Sequence, residues 1–351
     1  VSKVEKAVID YTGAKYAIAA VNGTSALHIS LLLAGVEKDE EVITQPVSFI
    51  ATCNAITYAG AHPVFVDVSL KTMGMCPEKL EAFLKENATR HPNGKTYNNK
   101  TGRRFAAVVP MHTFGHPCEI GRIAEICENY HIPLVEDAAE SIGSFYKGKH
   151  TGLFGKLGAI SFNGNKVITT GGGGMILTDD EELAKRAKHI TTTAKLPHRW
   201  EYRHDYTAYN YRLTNLAAAL GCGQIEQLDF FIQEKRKLVE KYKAYFADQA
   251  EITFFTEPED CRSNYWLNAV ILKDRNARDE FLQYTNDHGI MTRPIWVLSN
   301  KLDMYRGCQC GDLSNAEWLG DRVVNIPSSV IIKDYYRKIS DPQFNPYHNL
   351  V

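Results

Sequence analysis

An excess of charge of one sign is the first thing this sequence lacks. Lys and Arg number 40 and Asp and Glu 41, for a net charge of −1. A near-neutral chain has neither the electrostatic footprint of a nucleic-acid binder nor an attraction to anionic membrane. No apolar run approaches the roughly 20 residues of a membrane span. No signal-peptide pattern opens the chain. It starts at Val1, not methionine, inside an amphipathic pattern, so the natural N-terminus is expected to lie upstream. The eight cysteines are scattered, and only Cys308 and Cys310 are close together. With no second pair at ligand spacing, neither a disulfide framework nor a metal site is indicated, and unpaired thiols in a reducing cytoplasm are expected. Repeats and low-complexity segments are absent. Gly171 to Gly174 are not followed by Lys and Ser/Thr, so they are not a P-loop. No Gly-x-Gly-x-x-Gly opens a helix after the first strand, which leaves a dinucleotide site unsupported.

What is present is an alternation of strands and helices. Val4 to Tyr11 reads as a helix stopped by Gly13, and Tyr16 to Val21 as a strand. Asn22 opens a helix through Leu33. Strands follow at Glu41 to Thr44, His62 to Val66, Ala106 to Met111 and Ile132 to Glu136. Helices fall at Phe49 to Tyr58, Pro77 to Asn87 and Ile120 to Tyr130, with a polar loop from Ala88 to Arg103. The strands are apolar throughout rather than alternating. That pattern predicts a mostly parallel sheet covered by helices on both faces. Tyr211 to Ile225 and Leu228 to Phe246 read as helices, and from Ile252 the pattern becomes α+β. The length suits about two domains. The division expected is 1–225 for a large α/β domain and 226–351 for a smaller α+β one.

In parallel sheets ligands gather at the carboxyl ends of the strands, and the candidates all follow strands. Gly158 to Lys166 is a short apolar strand ending in a polar turn that presents one lysine. Burial beside other groups would let Lys166 lose its proton and act as a nucleophile. The alternative is a surface lysine on a glycine-rich hairpin. Thr24 and Ser25 lie in a first helical turn, where free amides favour an anion, although plain capping by Asn22 explains the same residues. Asp137 follows a strand, with Ala138 and Ala139 leaving room for a flat group; a helix-capping aspartate is the other reading. Lys195 to Tyr211 is rich in His, Arg and Tyr, with Lys195, His198 and Arg199 as candidate phosphate or substrate contacts, within this chain or in a neighbouring subunit. The alternative is a solvated loop.

Lys166, Asp137, Thr24, Ser25, Ser161 and Phe49 make sense together around pyridoxal 5'-phosphate. That cofactor needs a lysine for its aldehyde, a carboxylate for its ring nitrogen, donors for its phosphate and a flat group against its ring. At Asn22 to Leu27, Phe49 to Thr52, Glu136 to Ser141, Ser161 to Lys166 and Tyr209 to Asn215 the sequence resembles the DegT/DnrJ/EryC1/StrS sugar aminotransferases. The resemblance runs from Val4 to about Pro327 and implies a fold-type I aminotransferase. It implies that Lys166 is the imine-forming lysine and proton shuttle and that Asp137 pairs with the ring nitrogen. Phe49 would stack on the ring, and Thr24, Ser25 and Ser161 would hold the phosphate. Asn210 would reach in from the second subunit of a homodimer. Glu140 stands where glutamine is common, near the ring hydroxyl, and an ionised carboxylate can only accept hydrogen bonds. Members also commonly carry a stretch before this point that helps shape the substrate site. The implied reaction moves the amine of L-glutamate to a keto carbon, C4, of a nucleotide-linked sugar in surface-glycan biosynthesis. The branch most resembled acts on UDP-linked 4-keto-6-deoxy-N-acetylhexosamine, toward legionaminic acid or bacillosamine-type sugars. A dehydratase of the same fold is the rival, but its lysine is replaced by histidine. A non-catalytic regulatory relative is the other rival.

Overall fold

The computed structural model describes residues 1–330. The end of the expected second unit, 331–351, lies outside the described residues. Helix α1 (Ser2–Thr12) ends where Gly13 takes the left-handed conformation, φ 79°. Strand β1 (Tyr16–Ala20) leads into α2 (Gly23–Ala34). Then come β2 (Glu41–Thr44), α3 (Ala51–Tyr58), β3 (His62–Phe65), α4 (Pro77–Asn87), β4 (Phe105–Val109), α5 (Ile120–Asn129), β5 (Val135–Asp137), β6 (Leu157–Ser161) and β7 (Gly174–Thr178). Helices α6 (Glu181–Thr191), α7 (Asn215–Ile225) and α8 (Leu228–Phe246) follow.

The strands run β1-β7-β6-β5 in one sheet and β3-β2-β4 in another. Isolated parallel bridges, Val108 to Leu134 and Met111 to Asp137, join β4 to β5 across the seam. All strands are parallel except β7, which is antiparallel to both β1 and β6. The exception has a local cause. Parallel neighbours need a long crossover, commonly a helix. Between Ser161 and Gly174 the chain forms no helix and simply turns back.

Both faces are covered, which is why the strands carry no polar alternation. Ile18 and Ala20 point to a cluster with Leu27, Ile29 and Ile190. Ala17 and Ala19 point the other way, to a cluster with Val4, Val8, Leu228 and Ile232. The later sheet consists of β8 (Ile252–Phe254), β9 (Asn268–Leu272), β10 (Arg293–Pro294) and β11 (Val323–Ile326), in the order β8-β9-β11-β10. It packs against α8 and α9 (Arg275–Asp287) through Val239, Tyr242 and Phe281.

Several sequence expectations need correction. Ala88 to Arg103 is not all loop: Ala88–Arg90 pairs with Thr96–Asn98. Gly94, at φ 77°, permits the turn, and the buried Asn98 amide donates to Glu41 at 2.6 Å. Asp137 is the last residue of β5 rather than the first after it. Helix α3 starts at Ala51, leaving Phe49 on the loop before it. Helix α7 starts at Asn215 because Thr214, in extended conformation, caps it by accepting from the Ala217 amide. Trp318 to Arg322 is preceded by helix too: the helix spans Ser314–Gly320, with Asp67 accepting the amides of Asn315 and Ala316. Among the described residues no helix is long and apolar enough to cross a membrane. No disulfide forms; the cysteines are all free.

Candidate active site

A cavity of about 360 Å³ opens at the carboxyl ends of the parallel strands. Its walls include Thr24, Phe49, Asp137, Glu140, Ser161 and Lys166. They arrive at or after the ends of four strands, β1, β2, β5 and β6, so the sheet brings together residues far apart in the sequence.

One end is built by backbone packing. The Asn22 side chain accepts from the Ser25 amide at 2.7 Å and caps α2. Residue 23 must be glycine here, because a Cβ would lie 2.7 Å from the Ser161 Cβ. That close approach sets Thr24 and Ser161 on the same wall, beside the first amides of α2, which have no intrahelical acceptor. Ser25 is buried beneath and does not line the cavity. The later glycine run works against the same turn: a Cβ at Gly174 would lie 2.4 Å from the Asn22 carbonyl oxygen. Glycine at 174 thus lets β7 pass the cap.

Asp137 closes the floor. Its Oδ2 accepts from Thr52 Oγ1 at 2.6 Å, and its Oδ1 from the Ala139 amide at 3.1 Å. Thr52 is in turn 2.7 Å from Ser48 Oγ. Burial pushes the Asp137 carboxyl above the usual carboxylate range, opposed by the Thr52 hydroxyl, the Ala139 amide and the Lys166 charge. A cationic partner in the cavity would relieve that burial. The neighbouring Glu136 is different. Burial raises it too, but His112 and the Gly155 and Gly152 amides outweigh burial and hold it below the usual range. It braces the loop from Gly152 to Gly155 and does not line this cavity. Of the two small residues after Asp137, Ala139 lines the cavity while Ala138 is packed inside.

Lys166 projects from the turn after β6. Its Nζ lies 3.2 Å from Glu140 Oε1 and 3.8 Å from the centre of the Trp266 ring. Glu140 Oε2 accepts from the Phe114 amide at 3.0 Å. Burial pushes the Glu140 carboxyl up to about 7, with the Lys166 charge opposing and Asp137 adding. Near neutrality this side chain therefore exists in both forms, and its acid form can donate as a glutamine does. Phe49 is half-exposed on the opposite wall, 6.2 Å from Trp296.

Asn210, Lys195, His198 and Arg199 do not line this cavity. Asn210 accepts from Arg212 Nε at 3.1 Å on the surface. Lys195 lies over the Tyr202 ring at 4.0 Å, and His198 accepts the Glu201 amide at 2.8 Å. Trp200 and Tyr202, beside them, are 71% and 80% exposed. Residues that sequence reasoning gave no role also shape the site: Thr52, Met111, Trp266 and Trp296. Thr52 had a signal, one helical turn after Phe49. Trp266 had none, because it comes from the later sheet.

The donor set fits pyridoxal phosphate. There is an amine, a buried carboxylate needing a cation, a helix N-terminus with Thr24 and Ser161, and an aromatic wall. No cluster of His, Cys, Asp or Glu among the described residues could hold a metal. The sequence matches the profile of the DegT/DnrJ/EryC1/StrS aminotransferase family over residues 1–336. It is 36% identical to the GDP-perosamine synthase of Escherichia coli O157:H7 over 93% of this chain and 84% of that protein. It is 34% identical to EpsN of Bacillus subtilis (strain 168), a putative pyridoxal phosphate-dependent aminotransferase, over 84% of this chain and 73% of that one. The crystal structure of a DegT/DnrJ/EryC1/StrS aminotransferase from Brucella abortus superposes with a TM-score of 0.84 at 25% identity, over 95% of this chain and 86% of that one.

Proposed function

The chain belongs to the DegT/DnrJ/EryC1/StrS family, a sugar aminotransferase of fold-type I that uses pyridoxal phosphate, and on that premise we propose that it moves the amine of glutamate to the C4 keto carbon of a nucleotide-linked deoxy-sugar, with Lys166 as the reactive amine. The observation carrying the residue assignment is the convergence of Lys166, Asp137 and the Thr24–Ser161 wall on one cavity.

When bound, the cofactor supplies an aldehyde to take the amino group and a ring to accept electron density. The protein's part is division of labour. Asp137, locked by Thr52 and Ala139, would hold the ring nitrogen and favour its protonated form. Thr24, Ser161 and the start of α2 bind the phosphate, with Ser25 held beneath them by the Asn22 cap. Phe49 covers the ring face. Lys166 would be the amine that holds the aldehyde, with loss of water, and when released its nitrogen is placed to carry a proton at the substrate carbon. Glu140, in contact with that nitrogen, is placed to stand near the ring hydroxyl and to take or give a proton as Lys166 changes charge. Trp266 and Trp296, from the segments that carry the later sheet, close the cavity.

For the sugar, the sequence resemblance supports a UDP-linked 4-keto-6-deoxy-N-acetylhexosamine, as in legionaminic acid or bacillosamine-type pathways. The similarity to GDP-perosamine synthases supports a second reading, a GDP-linked substrate. Amine transfer from glutamate, measured across UDP- and GDP-linked 4-keto sugars, separates them. On the first reading kcat/KM is about 100-fold higher or more for the UDP sugar, since a built polar site rejects a wrong base strongly. A preference for the GDP sugar would move the nucleotide assignment and leave the aminotransferase standing.

A homodimer completes the proposal, with Asn210, Lys195, His198 and Arg199 serving a neighbouring subunit's substrate phosphates. Helix α7 supports it: Ala218, Gly221 and Ile225 are buried while Leu216 is 84% exposed on another face. Apolar side chains left outside in this way mark contact surfaces. Sedimentation at micromolar concentration is expected to show a dimer, and a stable monomer retaining full activity would remove this part of the reading.

A further inference from the structure

Trp266 is 6% exposed and borders the cavity from the side of the later sheet. Both of its recognition elements are directed at the lysine turn. Its indole N–H donates to the Asn165 carbonyl at 2.7 Å, one residue before Lys166. Its ring face lies 3.8 Å from Lys166 Nζ. An indole placed only to fill the core would not need to spend its single N–H on an otherwise exposed turn, nor turn its face to an ammonium.

The indole is itself held in register with Glu140. The Trp266 amide donates to Asn264 Oδ1 at 2.8 Å. The Asn264 amide nitrogen donates to the Glu140 carbonyl at 2.8 Å and the Ile142 carbonyl at 2.9 Å. From the other side the buried Lys235 ammonium donates to the Trp266 carbonyl at 3.1 Å. The Asn264 side chain thus ties together the backbones of the two residues whose side chains contact Lys166 Nζ, Glu140 and Trp266. The preceding Tyr265 takes φ 47°, a conformation that costs a non-glycine residue energy and that these bonds sustain.

We propose that Trp266 is a positioning residue for Lys166, tethering the backbone of its turn through the indole N–H and fixing its nitrogen through the ring face. This rests on the reading that Lys166 binds the cofactor aldehyde. The turn's other hydrogen bonds are internal or reach only its own strand end: the Lys166 amide donates to the Asn163 carbonyl at 3.0 Å, the Asn163 amide to Ser161 Oγ at 3.3 Å and the Asn163 side chain to Asn165 Oδ1 at 3.0 Å, while Asn163, Gly164 and Asn165 are exposed. A nucleophile on such a turn reacts at the rate set by how often it points at its target. Trp266 lets the later sheet restrict that turn without touching the phosphate wall.

The test separates capture from docking in the apoenzyme. Covalent capture of pyridoxal 5'-phosphate is followed by its visible absorbance. Docking is followed by calorimetry with 4-deoxypyridoxine 5'-phosphate, which has no aldehyde. Trp266→Leu loses tether and ring face, and its capture rate constant is expected to fall about tenfold. Trp266→Phe keeps a ring face and is expected to fall about threefold. Affinity for the analogue should stay within about twofold in both, since its phosphate and ring contacts lie elsewhere. Near-UV circular dichroism checks the fold, and if leucine is not tolerated the phenylalanine variant decides. Unchanged capture, or a loss of capture matched by an equal loss of analogue binding, overturns the proposal. Wild-type apoenzyme that docks the analogue but captures no aldehyde overturns the Lys166 assignment beneath it.

Discussion

Lys166→Ala should abolish amine transfer, lowering turnover by about 10⁴-fold or more, because one nitrogen serves as both covalent anchor and proton carrier. Cofactor binding should survive in weaker, non-covalent form, since the Thr24 and Ser161 wall and Asp137 are untouched. The yellow band of the loaded enzyme should change with it. Turnover within a few-fold of wild type, measured with glutamate and an accepted keto-sugar, would sink the assignment.

The same variant has a consequence in the apoenzyme. Glu140 is 3% exposed, and its ammonium partner is Lys166. Its folded-state carboxyl is pushed up to about 7 from 4.5, by burial first. The folded protein thus binds this proton more tightly than the unfolded chain does. The stability so gained is fully present below about 4.5 and is lost as pH rises through 7. Removing Lys166 removes the charge that opposes the rise, so the loss should extend to higher pH. The difference in Tm between Lys166→Ala and wild type, both without cofactor, should be flat below about pH 6 and move against the variant as pH rises through 7 and above. Adding Glu140→Gln should flatten that trend. A difference independent of pH would mean that Glu140 does not titrate in this range.

Legibility followed the range of the interactions. Lys166, Asp137, Phe49, Thr24 and Ser161 could be read because each lies at or just after the carboxyl end of a strand with a strong local pattern, and the rule for carboxyl ends of parallel strands gathers such positions. Asp137's support was half legible: Ala139 is two residues away, but Thr52 comes from another crossover and is joined only by the sheet. The antiparallel sense of β7 leaves no mark in its composition, because both faces are buried whichever way the strand runs. Trp266 was invisible. Its neighbours in the sequence, Tyr265 and Leu267, pack in the later core, and nothing short-range announces a contact with Lys166, 100 residues earlier. Ser25 shows the opposite failure. It lies in the motif, but the helix turns it inward under the wall that Thr24 forms. Asn210 and the Lys195 segment stay apart from the cavity within one chain because their reading requires a second copy.

Asp137→Asn should be the second most damaging change, lowering kcat/KM by about 10³-fold with little loss of fold. Asparagine matches the shape, and its side-chain oxygen can still accept from Thr52. What it lacks is charge. A buried carboxylate facing a ring nitrogen makes protonation of that nitrogen favourable, and a fixed charge aimed at a developing one in a water-poor site is worth several kcal/mol. Burial already strains the ionised form here, which the Thr52 hydroxyl, the Ala139 amide and the nearby Lys166 and His112 only partly offset. The carboxylate is therefore primed to gain a cation. A neutral amide has no such incentive, and the ring would lose its electron sink. If charge is the cause, a cofactor methylated on the ring nitrogen, cationic without any partner, should recover part of the loss in Asp137→Asn and none in Lys166→Ala. Activity of Asp137→Asn within about threefold of wild type would assign the carboxylate to structure, as a second anchor for Thr52 like Glu136 for His112.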